Sequence, residues 1–437
     1  MPDLLAARLQ MAVSLGFHIV FAVVGMAMPV LMVIAEYRHA KHGDPIHLDL
    51  ARRWARGTAI LFAVGAVSGT VLSFELGLLW PRFMERAGPL IGMPFSLEGF
   101  AFFLEAIFLG VYLYGWDKVS RRAHIAAGVV VAVSGLASGV FVVAVNAWMN
   151  TPSGFVLVGG DFTDVDLVRA FFSPSFVPEA LHMVLAAYAA VAFAVLGIHA
   201  AALLKAPSNQ FHRRAAAIAL AVAAVATPLQ LFSGDLAAKN IGHFQPVKLA
   251  AAEAEFVTEA GAPLLVGGVP DVAARTVHGA LRIPYLLSVL DKDDPRATVP
   301  GLDSVAPSLW PPIAITHLAF DVMVASGMAM FALVALGAVI RVYKRDPLRS
   351  RAFLRFAVIV APLGVVAIEA GWTVTEVGRQ PWIISGVLRT ADAVTPVPHL
   401  VIPFATFSLV YLLLGAVVVL LLRRHVGSAP KDAGSAA

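Results

Sequence analysis

MAVSLGFHIVFAVVGMAMPVLMVIA, Met11–Ala35, runs for 25 residues without a lysine, arginine, aspartate or glutamate. A helix rises 1.5 Å per residue, so roughly 20 apolar residues cross a hydrocarbon core about 30 Å thick. Ala180–Leu204 and Pro398–Leu422 are uncharged over the same length. The whole chain of 437 residues is 59% hydrophobic and 14% charged, with a mean hydropathy of +0.81. Soluble domains carry about a quarter charged residues. The fold class that follows is all-α: a polytopic membrane bundle of about nine transmembrane helices. The first run is too long for the apolar core of a secretory signal and no clear small-residue cleavage site follows it, so it reads as a retained helix.

Spans are predicted at about 9–37, 57–80, 94–116, 123–148, 177–205, 213–235, 313–341, 353–376 and 398–422. This divides the chain into six spans over 1–235, a long extracytoplasmic loop over 236–312, three spans over 313–425, and a tail at 426–437 with disordered composition. The loop contains charges, prolines and VKLAAAEAEF, a stretch of helical composition, and is expected to be partly ordered. No internal repeat is evident. Alternate connections put 20 lysines and arginines on one side and six on the other side's short segments. The positive-inside bias then places the C-terminus in the cytoplasm, and the N-terminus and the 236–312 loop outside. The basic residues have this topological role, so the formal charge of +4 does not point to nucleic acid. With no cysteine, disulfides, iron–sulfur clusters and covalently attached c-type haem are excluded.

Ionisable groups at membrane depth are costly and usually face a bundle interior. Here they are His18, Glu75, Glu98, Glu105, His182, His199, His317, Asp321, Glu369 and Glu376. A lone membrane histidine can simply hydrogen-bond a neighbouring helix. His18 and His182 also suit axial ligation of a haem, which is flat and apolar enough to lie between helices. Met323 can be core filler or a thioether ligand. Glu98 and Glu105 are two helical turns apart on one face, which suits either hydrogen bonding to neighbours or a proton relay. Lys248 and Glu253 look like solvated loop charges. Glu376 closes the eighth span in GWTVTEVGRQPW, where Pro381 prevents the helix from continuing and a buried anion needs donors.

These segments resemble subunit I of the cytochrome bd-type quinol oxidases. The resemblance lies in RLQMAVSLGFH, EGFAFFLEAIFLG, NAWMNTP, KLAAAEAEF followed by RIPY, and the GRQPW signature with its preceding glutamate. It covers essentially the whole chain. It implies a low-spin haem b held by His182 and Met323, and two high-spin haems, one b and one d (or a third b), held by His18 and Glu376. It further implies that Glu98, Glu105 and Ser138 pass cytoplasmic protons, that Lys248 and Glu253 serve quinol oxidation at the outer face, and that Arg379, Gln380 and Trp382 pack around the haems. The implied reaction oxidises quinol and reduces O2 to water, moving charge without a pump. Implied partners are a second large membrane subunit, a small single-helix subunit and membrane lipid. Two departures stand out. Asp321 occupies a position that is basic in many members, where a carboxylate would lower the haem potential unless protonated or paired. The loop is the short form found in a branch that includes cyanide-insensitive oxidases.

Two other classes compete. A proton-coupled transporter would use scattered membrane acids and histidines, but more often shows an internal repeat and broken paired helices. A haem-binding quinone:cytochrome electron-transfer subunit would share the ligands without oxygen chemistry.

Overall fold

The computed structural model describes residues 1–425; the tail expected to be disordered lies outside the described residues. Among the described residues, nine helical spans are long and apolar enough to cross a membrane. They are α1 (Asp3–His42), α2 (Pro45–Leu79), α3 (Pro81–Tyr114), α4 (Arg121–Asn150), α5 (Phe176–Lys205), α6 (Gln210–Phe244), α8 (Ile313–Val342), the broken pair α9 (Arg351–Val360) and α10 (Leu363–Val377), and α11 (Val401–His425). The loop helix α7 is Pro246–Ala252.

Local chemistry sets the boundaries. Asp44, Ser120, Asn209 and Ser350 cap their helices through side-chain oxygens that accept the backbone N–H groups of Ile46, Ala123, His212 and Phe353. Gly43 ends α1 with φ 70°, a left-handed conformation that glycine adopts without steric cost. Pro81 starts α3 immediately after α2, and Pro362 separates α9 from α10. Several helices outrun their hydropathy limits. α2 starts at Pro45, α3 at Pro81, and α6 continues to Phe244. Hydropathy marks the lipid core, whereas backbone hydrogen bonding carries a helix on into the headgroup region and beyond.

The spans pack as sequential pairs, α1 with α2, α3 with α4 and α5 with α6, while α10 lies against both α5 and α8. Close approach depends on small residues, as lipid-embedded interfaces do. Gly197 of α5 meets Ala361, Gly364 of α10 meets Ala190, and Gly128 of α4 meets the Tyr112 ring. The largest apolar core is built mainly from α1, α2, α5, α6, α8 and α9, rich in alanine on α5 and α6.

The 236–312 segment opens on the last turns of α6. After α7 it forms a nested antiparallel ribbon, pairing Glu259–Ala260 with Thr298–Val299, Leu264–Val266 with Leu281–Ile283, and Val269–Asp271 with Thr276–His278. The helical composition of VKLAAAEAEF is realised as α7. A second short ribbon, Trp382–Ile384 with Leu388–Arg389, follows α10.

Candidate haem and quinol site

The ends of α4, α5 and α10 meet α7 in one buried polar network. Arg379 Nη2 donates to Glu376 Oε2 at 2.6 Å, and Asn146 Nδ2 donates to the other oxygen, Oε1. Arg379 Nη1 donates to Asn150 Oδ1 at 3.0 Å, and Lys248 Nζ reaches the same oxygen at 2.8 Å. The Asn150 amide nitrogen lies within 2.9 Å of Glu179 Oε1 and 3.1 Å of Thr375 Oγ1. Two cations and two carboxylates thus surround one asparagine. Gln380 closes the turn: its amide lies 3.5 Å from the Glu376 carbonyl, and its Oε1 accepts from Thr390 at 2.9 Å. Trp382 stands outside the network, under the Arg389 guanidinium 5.5 Å from its ring centre.

Lys248 and Glu253 correct the reading as solvated charges: they are 3% and 5% exposed. Burial, then Arg379, pulls the Lys248 ammonium down to about 7, against Glu179 and Glu376. Burial pushes the Glu253 carboxyl up to about 8, helped by Asp321, Glu255 and Asp291. The two residues face different ways. Lys248 points to the Glu376 network, and Glu253, at the end of α7, lies with acids of the loop and α8.

The two histidines are held alike. His18 Nδ1 lies 3.0 Å from Ser68 Oγ, whose own proton goes to the Val64 or Gly65 carbonyl. His182 Nδ1 lies 3.2 Å from Ser233 Oγ, whose proton goes to the Gln230 carbonyl at 2.9 Å. Where the hydroxyl hydrogen goes to that carbonyl, its oxygen accepts from Nδ1–H and the imidazole keeps the Nε2 lone pair. This is the tautomer a metal ligand needs, with the outer hydrogen bond that orients it. The Gln230 amide nitrogen lies over one edge of the His182 ring, 3.1 Å from Nε2 and 3.2 Å from Nδ1. His182 on α5 and Met323 on α8 lie on helices that both pack against α10, where Gly371 gives the Met323 sulfur a bare backbone to lie on. Gly69 does the same for the edge of the His18 ring. Glu369 Oε1, buried nearby on α10, has no hydrogen-bond partner. Two Nε2 bases, a thioether, a carboxylate and an unpaired buried oxygen are a donor set that fits haem iron and its periphery.

Between α4 and α3, Ser138 Oγ donates to Glu98 Oε1 at 3.3 Å, joining two of the three predicted relay residues. Glu105 lies in a slot lined by Gly25 and Gly135, and its Oε1 has no partner. Asp321 Oδ2 lies 3.4 Å from His317 Nε2, and neither atom has a hydrogen-bond partner. The Gly267 backbone N–H serves the Asp321 carboxylate.

Residue-by-residue reading of the sequence missed Ser68, Ser233, Gln230 and Glu179 altogether, and gave Asn146 and Asn150 no role within NAWMNTP. The asparagines did leave a signal: two amides four residues apart share one face at the end of an apolar helix. The serines left none, since a serine that back-bonds its own helix is unremarkable in a span.

The family description "Cytochrome bd terminal oxidase subunit I" matches residues 6–430. A protein of Bacillus subtilis (strain 168) named putative cytochrome bd menaquinol oxidase subunit I is 36% identical over 437 residues, covering 99% of this chain and 98% of its own. A second from the same organism, cytochrome bd ubiquinol oxidase subunit 1, is 28% identical, covering 98% of this chain and 94% of its own. The solved bd oxidase from Geobacillus thermodenitrificans superposes with a TM-score of 0.92 at 37% identity, over 98% of this chain and 99% of that one. With nine spans among the described residues and a family match over nearly its whole length, the chain belongs to the cytochrome bd terminal oxidase subunit I family.

Proposed function

We propose that this chain is the quinol-oxidising, oxygen-reducing subunit of a membrane terminal oxidase, with its N-terminus outside and its C-terminus in the cytoplasm. The observation that carries the proposal is the pair of histidines each set against a serine hydroxyl through Nδ1, on the same bundle as the Glu376 network. Bound haem supplies one-electron transfer and a place for O2 to bind.

The chain's own residues do the rest. Ser233 orients His182, which with Met323 would hold a low-spin haem b, and that haem would supply electron transfer. Ser68 orients His18, and Arg379 with Asn146 fixes Glu376, for two high-spin haems of b and d type or both b. Arg379 and Gln380, with Trp382 beyond them, close the end of that site. Quinol oxidation at the outer face falls to the loop: Glu253 takes a proton from the quinol hydroxyl, and Lys248 links α7 to the Glu376 network. Glu105 and Glu98 each take up a proton from the cytoplasmic side, and the Ser138 hydroxyl, which donates to Glu98, relays it inward. The bare apolar faces of α2, α3 and α11 remain for lipid, a second large subunit and a small single-helix one.

The test is a reduced-minus-oxidised optical spectrum of the purified oxidase. Low-spin b bands that vanish selectively in His182→Ala support the assignment, and a far-red band identifies haem d at the third position. A protein with no haem bands would overturn it.

A further inference from the structure

We propose that His317 is a positioning residue for Glu253, tying both arms of the loop to the turn of α8 that precedes Met323. The inference rests on the proposed quinol role of Glu253.

Helix α7 ends at Ala252, and the carbonyls of its last turn find partners one by one. Leu249 O accepts from Glu253 N at 2.9 Å, Ala250 O from Glu255 N at 2.8 Å, and Ala251 O from Ala254 N at 3.4 Å. Ala252 O comes next and would be buried without a donor. His317 supplies it, with Nδ1 at 2.7 Å. A carbonyl can only accept, so the Nδ1 proton is assigned by its partner. His317 is 0% exposed.

Glu253 therefore stands between two fixed points. On one side is the carbonyl bonded to His317. On the other is Ala254, an alanine at φ 52°, in the left-handed region that only glycine adopts without cost. Such a conformation persists where its surroundings hold it. One turn along α8 from His317, Asp321 receives the backbone N–H of Gly267 in the nested ribbon, and its Oδ2 lies 3.4 Å from His317 Nε2. His317 and Asp321 thus hold the end of α7 and the ribbon turn together, and Glu253 is kept inside rather than swung to solvent.

The experiment compares His317→Ala, His317→Asn and His317→Gln in the intact oxidase. Asparagine returns an N–H donor to the Nδ1 position, and glutamine places it at the Nε2 position. Each variant is assayed for quinol-driven O2 consumption, for O2 consumption driven by a small artificial donor that bypasses the loop, and for the low-spin optical spectrum. The expected result is a quinol KM about tenfold higher in His317→Ala, the scale of one lost buried hydrogen bond. Donor-driven turnover and the spectrum should be unchanged. His317→Asn should recover KM to within about twofold, and His317→Gln should not. If His317→Ala does not assemble, the asparagine and glutamine variants decide the matter alone.

Equal recovery by both, or a shifted low-spin spectrum at unaltered KM, would overturn the inference. Glu253→Gln separates it from the reading beneath it. Normal quinol kinetics in Glu253→Gln would sink the loop site itself. An impaired Glu253→Gln beside a wild-type-like His317→Ala would sink only the role of His317.

Discussion

Replacing Glu253 by glutamine removes the group proposed to accept the quinol proton while keeping its shape. The carboxyl is 5% exposed and titrates at about 8, because burial and the neighbouring acids Asp321, Glu255 and Asp291 all favour its neutral form. At that value about a tenth of the molecules carry the carboxylate at pH 7, half at pH 8 and about nine-tenths at pH 9. A general base works in its ionised form, so quinol kcat/KM in the unmodified protein should rise roughly tenfold from pH 7 to a plateau above pH 9. In Glu253→Gln that limb should vanish and the plateau fall by about 10²–10⁴, the usual worth of a positioned base. The stability sign runs the other way. A carboxyl whose folded value is raised stabilises the fold fully below its ordinary value near 4.3, and this contribution is lost as pH rises through about 8. Heat inactivation should therefore be faster at pH 9 than at pH 6, with less difference in Glu253→Gln. The assay is O2 consumption with quinol from pH 6 to 9.5, with the artificial donor as control. A flat quinol profile in the unmodified protein, or a rising limb that survives in Glu253→Gln, would refute the reasoning.

Two further outcomes follow from the polar contacts. Arg379→Leu leaves Glu376 with Asn146 as its remaining side-chain donor; breaking a buried pair costs about 3–5 kcal/mol, but Glu376 retains 32% of its side-chain exposure. Solvent screening brings the expected loss to roughly 1–3 kcal/mol, read as weaker high-spin haem retention with low-spin bands intact. Ser68→Ala frees the His18 ring to rotate and should weaken haem retention at that histidine by about 10–100-fold, measured by haem-to-protein ratio after purification. Full occupancy in Ser68→Ala would show that the serine does not orient the ligand.

Much of the architecture was legible in the chain because lipid imposes a simple rule: uncharged runs of about 25 residues must be helices satisfied within themselves. That rule located nine spans and a long loop, and it separated the ten ionisable groups worth asking about. It could not place helix ends, because α2, α3 and α6 run on past the apolar segment on capping and backbone hydrogen bonds alone. Motif resemblance named His18, His182, Met323 and Glu376, since their type and order survive in one dimension.

What holds those residues is a different matter. Ser68 lies 50 positions from His18, and Ser233 lies 51 from His182, distances at which no sequence pattern connects two side chains. Lys248 and Glu253 looked alike in a polar loop, yet α7 folds inward and turns one to the Glu376 network and the other to α8. The uncharged runs alone determined that this protein spans the membrane as a helical bundle. Only the tertiary structure decided which hydroxyls face its histidines, which groups surround Asp321 and that the loop charges are buried, because each depends on which groups share a space without water.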